Sequence, residues 1–127
     1  MKTIKSRQAI KETLLNPDSD ETKILNQCIM RHNEDANPED QVNERTIVEI
    51  KPYEKMWLSD KQKGYTLVNY YVIELNLTYN SSKQYFSVCF CKSNKIWYGS
   101  YYIGNKGDVN KKVPNAFQNM CKQPLSV

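Results

Sequence analysis

Cys28 and His32 stand four residues apart, with Glu34 and Asp35 directly beyond them. A thiol one helical turn from an imidazole, with carboxylates near enough to orient the ring, is the residue set of a nucleophile and its general base. The spacing has a second meaning, because Ile24, Leu25, Cys28, Ile29 and His32 fall at i, i+1, i+4, i+5 and i+8, the stripe of a helix that packs on one side. Catalytic pairs are normally drawn from separate elements of a rigid scaffold, so this pair reads as core packing. No catalytic residue is assigned, and a chain that is not an enzyme is expected.

The remaining clusters are weaker as chemistry. Acids gather at Asp18/Asp20/Glu21, Glu34/Asp35 and Glu39/Asp40, but none keeps the alternating oxygen spacing and glycine of a calcium loop, so they read as solvated. The cysteines lie at 28, 89, 91 and 121. A Cys-x-Cys without paired Cys-x-x-Cys knuckles gives no metal assignment, and with one histidine no two-histidine site exists. The thiols read as free and partly buried. A disulfide from Cys89 or Cys91 to Cys121 is the alternative, since Cys89 and Cys91 share a strand face and cannot readily bridge each other. Four glycines, at 64, 99, 104 and 107, cannot build a phosphate-cradling loop, and no cofactor is expected.

A different signal comes from the second half, where Tyr65, Tyr70, Tyr85, Trp97, Tyr98, Tyr101 and Tyr102 interleave with Lys61, Lys63, Lys83, Lys92 and Lys95. On a sheet such a mixture stacks bases and tracks phosphates, which makes Lys83, Lys92, Lys95 and Trp97 the residues of a nucleic-acid reading. The same residues also serve as cross-strand aromatic pairs with lysines guarding the edges. In a third reading, Tyr70, Tyr85, Trp97 and Tyr101 are anchors for a protein partner, with Glu39 and Asp40 of the acidic loop as a second contact.

Positioning these groups requires a helical part and a sheet. Ser6 to Leu15 predicts a short helix stopped at Pro17. Asp18 followed three residues later by Glu21 then predicts the start of a longer one, over 18–33. Period-two alternation begins at Arg45. Thr46 to Lys51 predicts a strand ended by Pro52, with Glu54 to Leu58 beyond a bend. In the next strand Leu67, Tyr71, Ile73, Leu75, Leu77 and Tyr79 share one face. Turns at Asn80 to Ser82 and at Ser93 and Asn94 lead into strands carrying Phe86, Val88 and Phe90 and then Ile96 to Ile103. A short helix over Asn115 to Cys121 is expected in the tail.

At 127 residues the chain fits one domain, divided as 1–33 helical, 34–44 acidic loop, 45–103 antiparallel sheet and 104–127 tail. The fold class is α+β, with an N-terminal helix or helix pair on one face of a curved antiparallel meander of about four strands. This order is similar to cystatin-like and nuclear-transport-factor-2-like sheets in architecture only, and such folds host unrelated functions.

A net charge of +4 conceals a balance of −3 over residues 1–60 and +7 over 61–127. A polarised surface attracts charged partners, although only three of the eighteen cations are arginines, the residues suited to bidentate phosphate binding. Thirteen asparagines and nine tyrosines match the bias of an A/T-rich genome, as in bacteria, phages and mobile elements. No run approaches the roughly 18 apolar residues of a membrane span, and no signal-peptide core follows Lys2 and Lys5, so a cytoplasmic chain is expected unless a leader was removed. The expected function is a protein-interaction module, such as an assembly subunit or an inhibitor or immunity-type protein. It would bind a protein partner, with homo-oligomers allowed. Nucleic-acid binding stands second, and a small-ligand pocket between helix and sheet third.

Overall fold

The computed structural model describes residues 3–60, 64–93, 95–106 and 124–125, with side chains over 3–52, 71–90, 95 and 101–106. Two helices lead, α1 (Arg7–Leu15) and α2 (Asp20–Asp35), followed by a 3-10 turn at Pro38–Asp40. Four long strands come next: β1 (Ile47–Asp60), β2 (Gly64–Tyr79), β3 (Ser82–Ser93) and β4 (Ile96–Gly104). A two-residue strand, β5 (Pro124–Leu125), pairs with β4. The sheet is an antiparallel meander in the order β1-β2-β3-β4-β5, so the α+β arrangement of helices followed by a meander holds, with a short fifth strand that the sequence did not announce. The helix expected over Asn115 to Cys121 lies outside the described residues. Among the described residues, no helix is long and apolar enough to cross a membrane.

Each helix starts where a hydroxyl can accept an orphan amide. Ser6 Oγ accepts from the Ala9 N–H at 3.1 Å and opens α1. In α2 the cap is Ser19, not Asp18: Ser19 Oγ accepts from the Thr22 N–H at 3.2 Å, and Thr22 Oγ1 accepts from the Ser19 N–H at 3.1 Å. This reciprocal box places Asp20 and Glu21 in the first turn, where the positive end of the helix favours them. α1 ends at Asn16, before Pro17, and its last carbonyls are taken by the other helix, as Asn26 Nδ2 donates to Thr13 O at 3.1 Å and to Leu14 O at 3.0 Å.

The core forms between the helices and one sheet face. Ile10 of α1 and Ile24, Leu25, Cys28 and Ile29 of α2 pack with Ile50, Tyr71, Ile73, Leu75, Phe86, Val88 and Phe90. Burying side chains of this size is worth about 1.5–3 kcal/mol each, so the stripe on α2 is the main attachment of the helices to the sheet. Tyr71 stacks on Phe90 across neighbouring strands, with ring centroids 5.3 Å apart.

Two departures from simple alternation shape β1. The strand runs through Pro52, which pairs with Tyr71; β1 is an outer strand, where a missing N–H is tolerated, so the expected stop at Pro52 does not occur. A bulge between Ile47 and Glu49 lets both Ile47 and Ile50 face the core and turns Val48 outward. On the outer side of β1, Ile4 and Ile50 exchange two backbone hydrogen bonds of 2.9 Å.

The hairpin between β2 and β3 turns on Asn80 and Ser81, with φ of 50° and 63°, and Lys95 in the next hairpin has φ 65°. Two left-handed residues in a two-residue loop follow the twist of the flanking strands, and asparagine tolerates that conformation better than serine. Ser81→Gly is therefore expected to stabilise the chain by about 1 kcal/mol, read as a higher denaturation midpoint with an unchanged slope.

Candidate functional site

His32 occupies the junction of the two halves. Its ring meets Phe86 edge-on at 5.5 Å and Tyr101 at 6.1 Å, while Phe86 and Tyr101 stack on each other at 5.2 Å. Nε2 lies 3.2 Å from the backbone carbonyl of Asp40. The imidazole thus bridges α2, the acidic loop and the sheet, edge-on to the stacked pair. Cys28, one turn earlier, is buried, and burial pushes its thiol from the ordinary 9.0 up to about 12, with Arg31 opposing weakly. Cys28 lies in the core cluster, as its place on the helix stripe implies.

The acidic loop is fixed at both ends. Asn33 Oδ1 accepts from the Val42 N–H at 2.8 Å and Asn33 Nδ2 donates to the Val42 carbonyl at 2.9 Å, so one side-chain amide reproduces the exchange of a β-bridge. Val42 itself is 1% exposed and belongs to the core. Thr46 Oγ1 donates to Gln41 O at 2.9 Å and accepts from the Asn43 N–H at 2.9 Å, closing the turn into β1. Glu34 and Asp35, which end α2 where the sequence places the start of the loop, and Glu39 and Asp40 of the 3-10 turn all remain exposed. The loop is acidic and solvated as expected, and it is also anchored.

The aromatic surface is not one surface. Tyr101 is half-buried against Phe86 and His32 on the side that the helices cover, where it packs against the core. Tyr85 is half-buried in β3, where it pairs with Glu74 and Gly104. Tyr70, Lys92 and Trp97 have described backbone positions, Tyr70 opposite Cys89 and Lys92 opposite Trp97, while their side chains lie outside the described residues. The opposite face is closed at its centre: Ser87 and Cys89 are 0% exposed, Val72 is buried, and Ser87 Oγ donates to Tyr71 O at 3.0 Å. Of the nucleic-acid set, Lys83 is exposed and pairs with Glu74 at 2.6 Å, a contact that raises its pKa, and Lys95 is exposed on its hairpin turn.

Cys28 and Cys89 are free thiols, so Cys89 takes no part in a bridge to Cys121. Cys89 is completely buried in the sheet, and burial raises its pKa. Cys91 by its side chain and Cys121 altogether lie outside the described residues.

A feature missed from the sequence lies at the other end of the helical layer. Lys5, Arg7 and Arg45 line one side of a groove of about 240 Å3 that also touches Ile47, Val48 and Asn76. Arg7 and Arg45 are thirty-eight positions apart, and no spacing rule connects them; the weak hint was that the chain has only three arginines. A scan against protein-family models, a search of curated proteins and a search of solved structures all find no match.

Asn33→Ala strips both hydrogen bonds from Val42 and is expected to cost about 2 kcal/mol, with amide exchange at Val42 accelerated; Asn33→Asp, which keeps the acceptor alone, should fall between. Cys28 holds its proton to higher pH folded than unfolded, so its contribution is complete below pH 9.0 and is lost as pH rises towards about 12. Urea titrations should show stability falling above pH 9.0, and Cys28→Ala should reduce the slope by up to about 1.4 kcal/mol per pH unit.

Proposed function

We propose that this chain is a non-enzymatic interaction module that holds a basic protein surface on its acidic loop, residues 34–44. The observation that carries this reading is the combination of anchoring and exposure: Asn33, His32 and Thr46 fix the backbone of the loop while Glu39 and Asp40 point their charge at solvent. A loop ordered in advance loses less freedom on binding, and carboxylates on a fixed frame steer a cationic partner into one register. Two facts argue against catalysis as the role of the Cys28–His32 pair: the thiol is buried and held protonated, and the imidazole packs edge-on against the Phe86–Tyr101 stack. Within the module reading, an assembly subunit and an inhibitor or immunity-type protein of a phage or mobile element are both served by such a loop.

The reading is tested by titrating the chain against a fluorescein-labelled lysine-rich peptide and against a single-stranded oligonucleotide at two salt concentrations. The peptide is expected to bind, and Glu39→Lys with Asp40→Lys should weaken it roughly tenfold without moving the melting temperature. Oligonucleotide binding that falls steeply with salt, together with indifference to the peptide, would instead favour nucleic acid as the partner.

A further inference from the structure

We propose that the groove between the start of α1, the turn at Arg45 and the bulge of β1 is a second docking site, of opposite charge, that takes an acidic segment of a protein partner with an apolar side chain next to its carboxylate. It shares only Glu44 with the acidic loop and needs neither Glu39 nor Asp40.

Charge is the first argument. Lys5, Arg7 and Arg45 are all exposed along this one groove, and two of the three guanidiniums in the chain are there. Neither Arg7 nor Arg45 forms a salt bridge among the described residues, while Lys5 reaches Glu49 only at 3.8 Å in an exposed contact. Glu44 also borders the groove and lies within salt-bridge distance of no cation there, so positive charge predominates. Guanidiniums suit carboxylates because their planar fork donates two parallel hydrogen bonds.

Shape is the second argument. The bulge at Val48 interrupts alternation, sending Ile47 and Ile50 into the core and leaving Val48 39% exposed beside the cations. Bulges commonly serve to re-aim one side chain, and here the re-aimed residue gives the groove an apolar wall. Behind it, Asn76 fixes the frame: its N–H donates to Thr46 O at 2.8 Å and its Nδ2 donates to Arg45 O at 3.0 Å. The arginine backbone is thereby set before any ligand arrives.

The occupant follows from this pairing. A nucleic acid needs a continuous cationic track, whereas here Glu44 interrupts the charge within the groove and Glu49, outside it, faces Lys5 at 3.8 Å. A volume of about 240 Å3 has room for one or two side chains, not for a stacked run of bases. A carboxylate beside an aliphatic side chain meets both the guanidiniums and Val48.

The test uses the whole chain with a fluorescein-labelled peptide of alternating glutamate and leucine, followed by anisotropy at low salt. Binding is expected, with loss of at least tenfold in affinity for Arg7→Gln with Arg45→Gln and no change for Lys83→Gln or for Glu39→Lys with Asp40→Lys. Peptide-induced amide shifts should centre on Val48 and Asn76. Far-UV circular dichroism and the melting temperature of each variant show that it is folded. Absence of binding at low salt, or equal affinity in the arginine variant, would overturn the proposal. So would an oligonucleotide that displaces the peptide and binds more tightly through the same arginines. Light scattering of the chain alone adds one more outcome: salt-sensitive self-association abolished by the arginine variant would replace the foreign peptide with a second copy. The loop variant and the arginine variant report separately, so failure here leaves the acidic-loop reading standing, and the reverse.

Discussion

The passage from helix to sheet depends on a single amide. Between Asp35 and Ile47 the chain must leave a 3.6-residue repeat, cross the end of the sheet and begin a two-residue repeat in register. Asn33 makes this possible by offering Val42 both an acceptor and a donor, so that the core residue Val42 is buried without an orphaned backbone group. Once Val42 is seated, the turn at Asn43 to Thr46 closes on its own hydrogen bonds and Ile47 begins β1 beside Leu75. His32 adds a second fastening one residue earlier, through the Asp40 carbonyl and the Phe86–Tyr101 stack.

A mostly polar chain, with a mean hydropathy of −0.73, still holds a core. Apolar residues are concentrated on one stripe of α2 and on alternate positions of β2 and β3, and both meet in the same layer. The opposite face is occupied in the middle by small groups, Ser87 and Cys89, beside Val72.

Much of the architecture was legible because it follows from local rules. The alternation of Tyr71, Ile73 and Leu75 and the stripe of Ile24, Leu25, Cys28 and Ile29 fixed which residues face inward, and Pro17 ended α1 as a proline must. Pro52 misled because its effect depends on whether the strand is central or outer, which is a property of topology and not of the residue. Ser19 lost to Asp18 in the reading for a related reason, since its partner Thr22 belongs to no familiar capping pair. Composition does not tell a stacking tyrosine from a presenting one, and for Tyr101 only the strand register, which sets it beside Phe86, decides. The cationic groove was invisible altogether, as it joins Arg7 and Arg45 through a fold that the sequence states only piecemeal.

The backbone pairing of Ile4 with Ile50 has a meaning beyond the few contacts it adds. An outer strand of fourteen residues is a template on which other chains could build, strand upon strand, into fibrillar aggregates. At Ile50 the template is occupied by the beginning of the same molecule, and two residues later Pro52 has no hydrogen to offer. The N-terminal segment is therefore a stopper at this point of the edge, set by the same Ile4 that packs against the core.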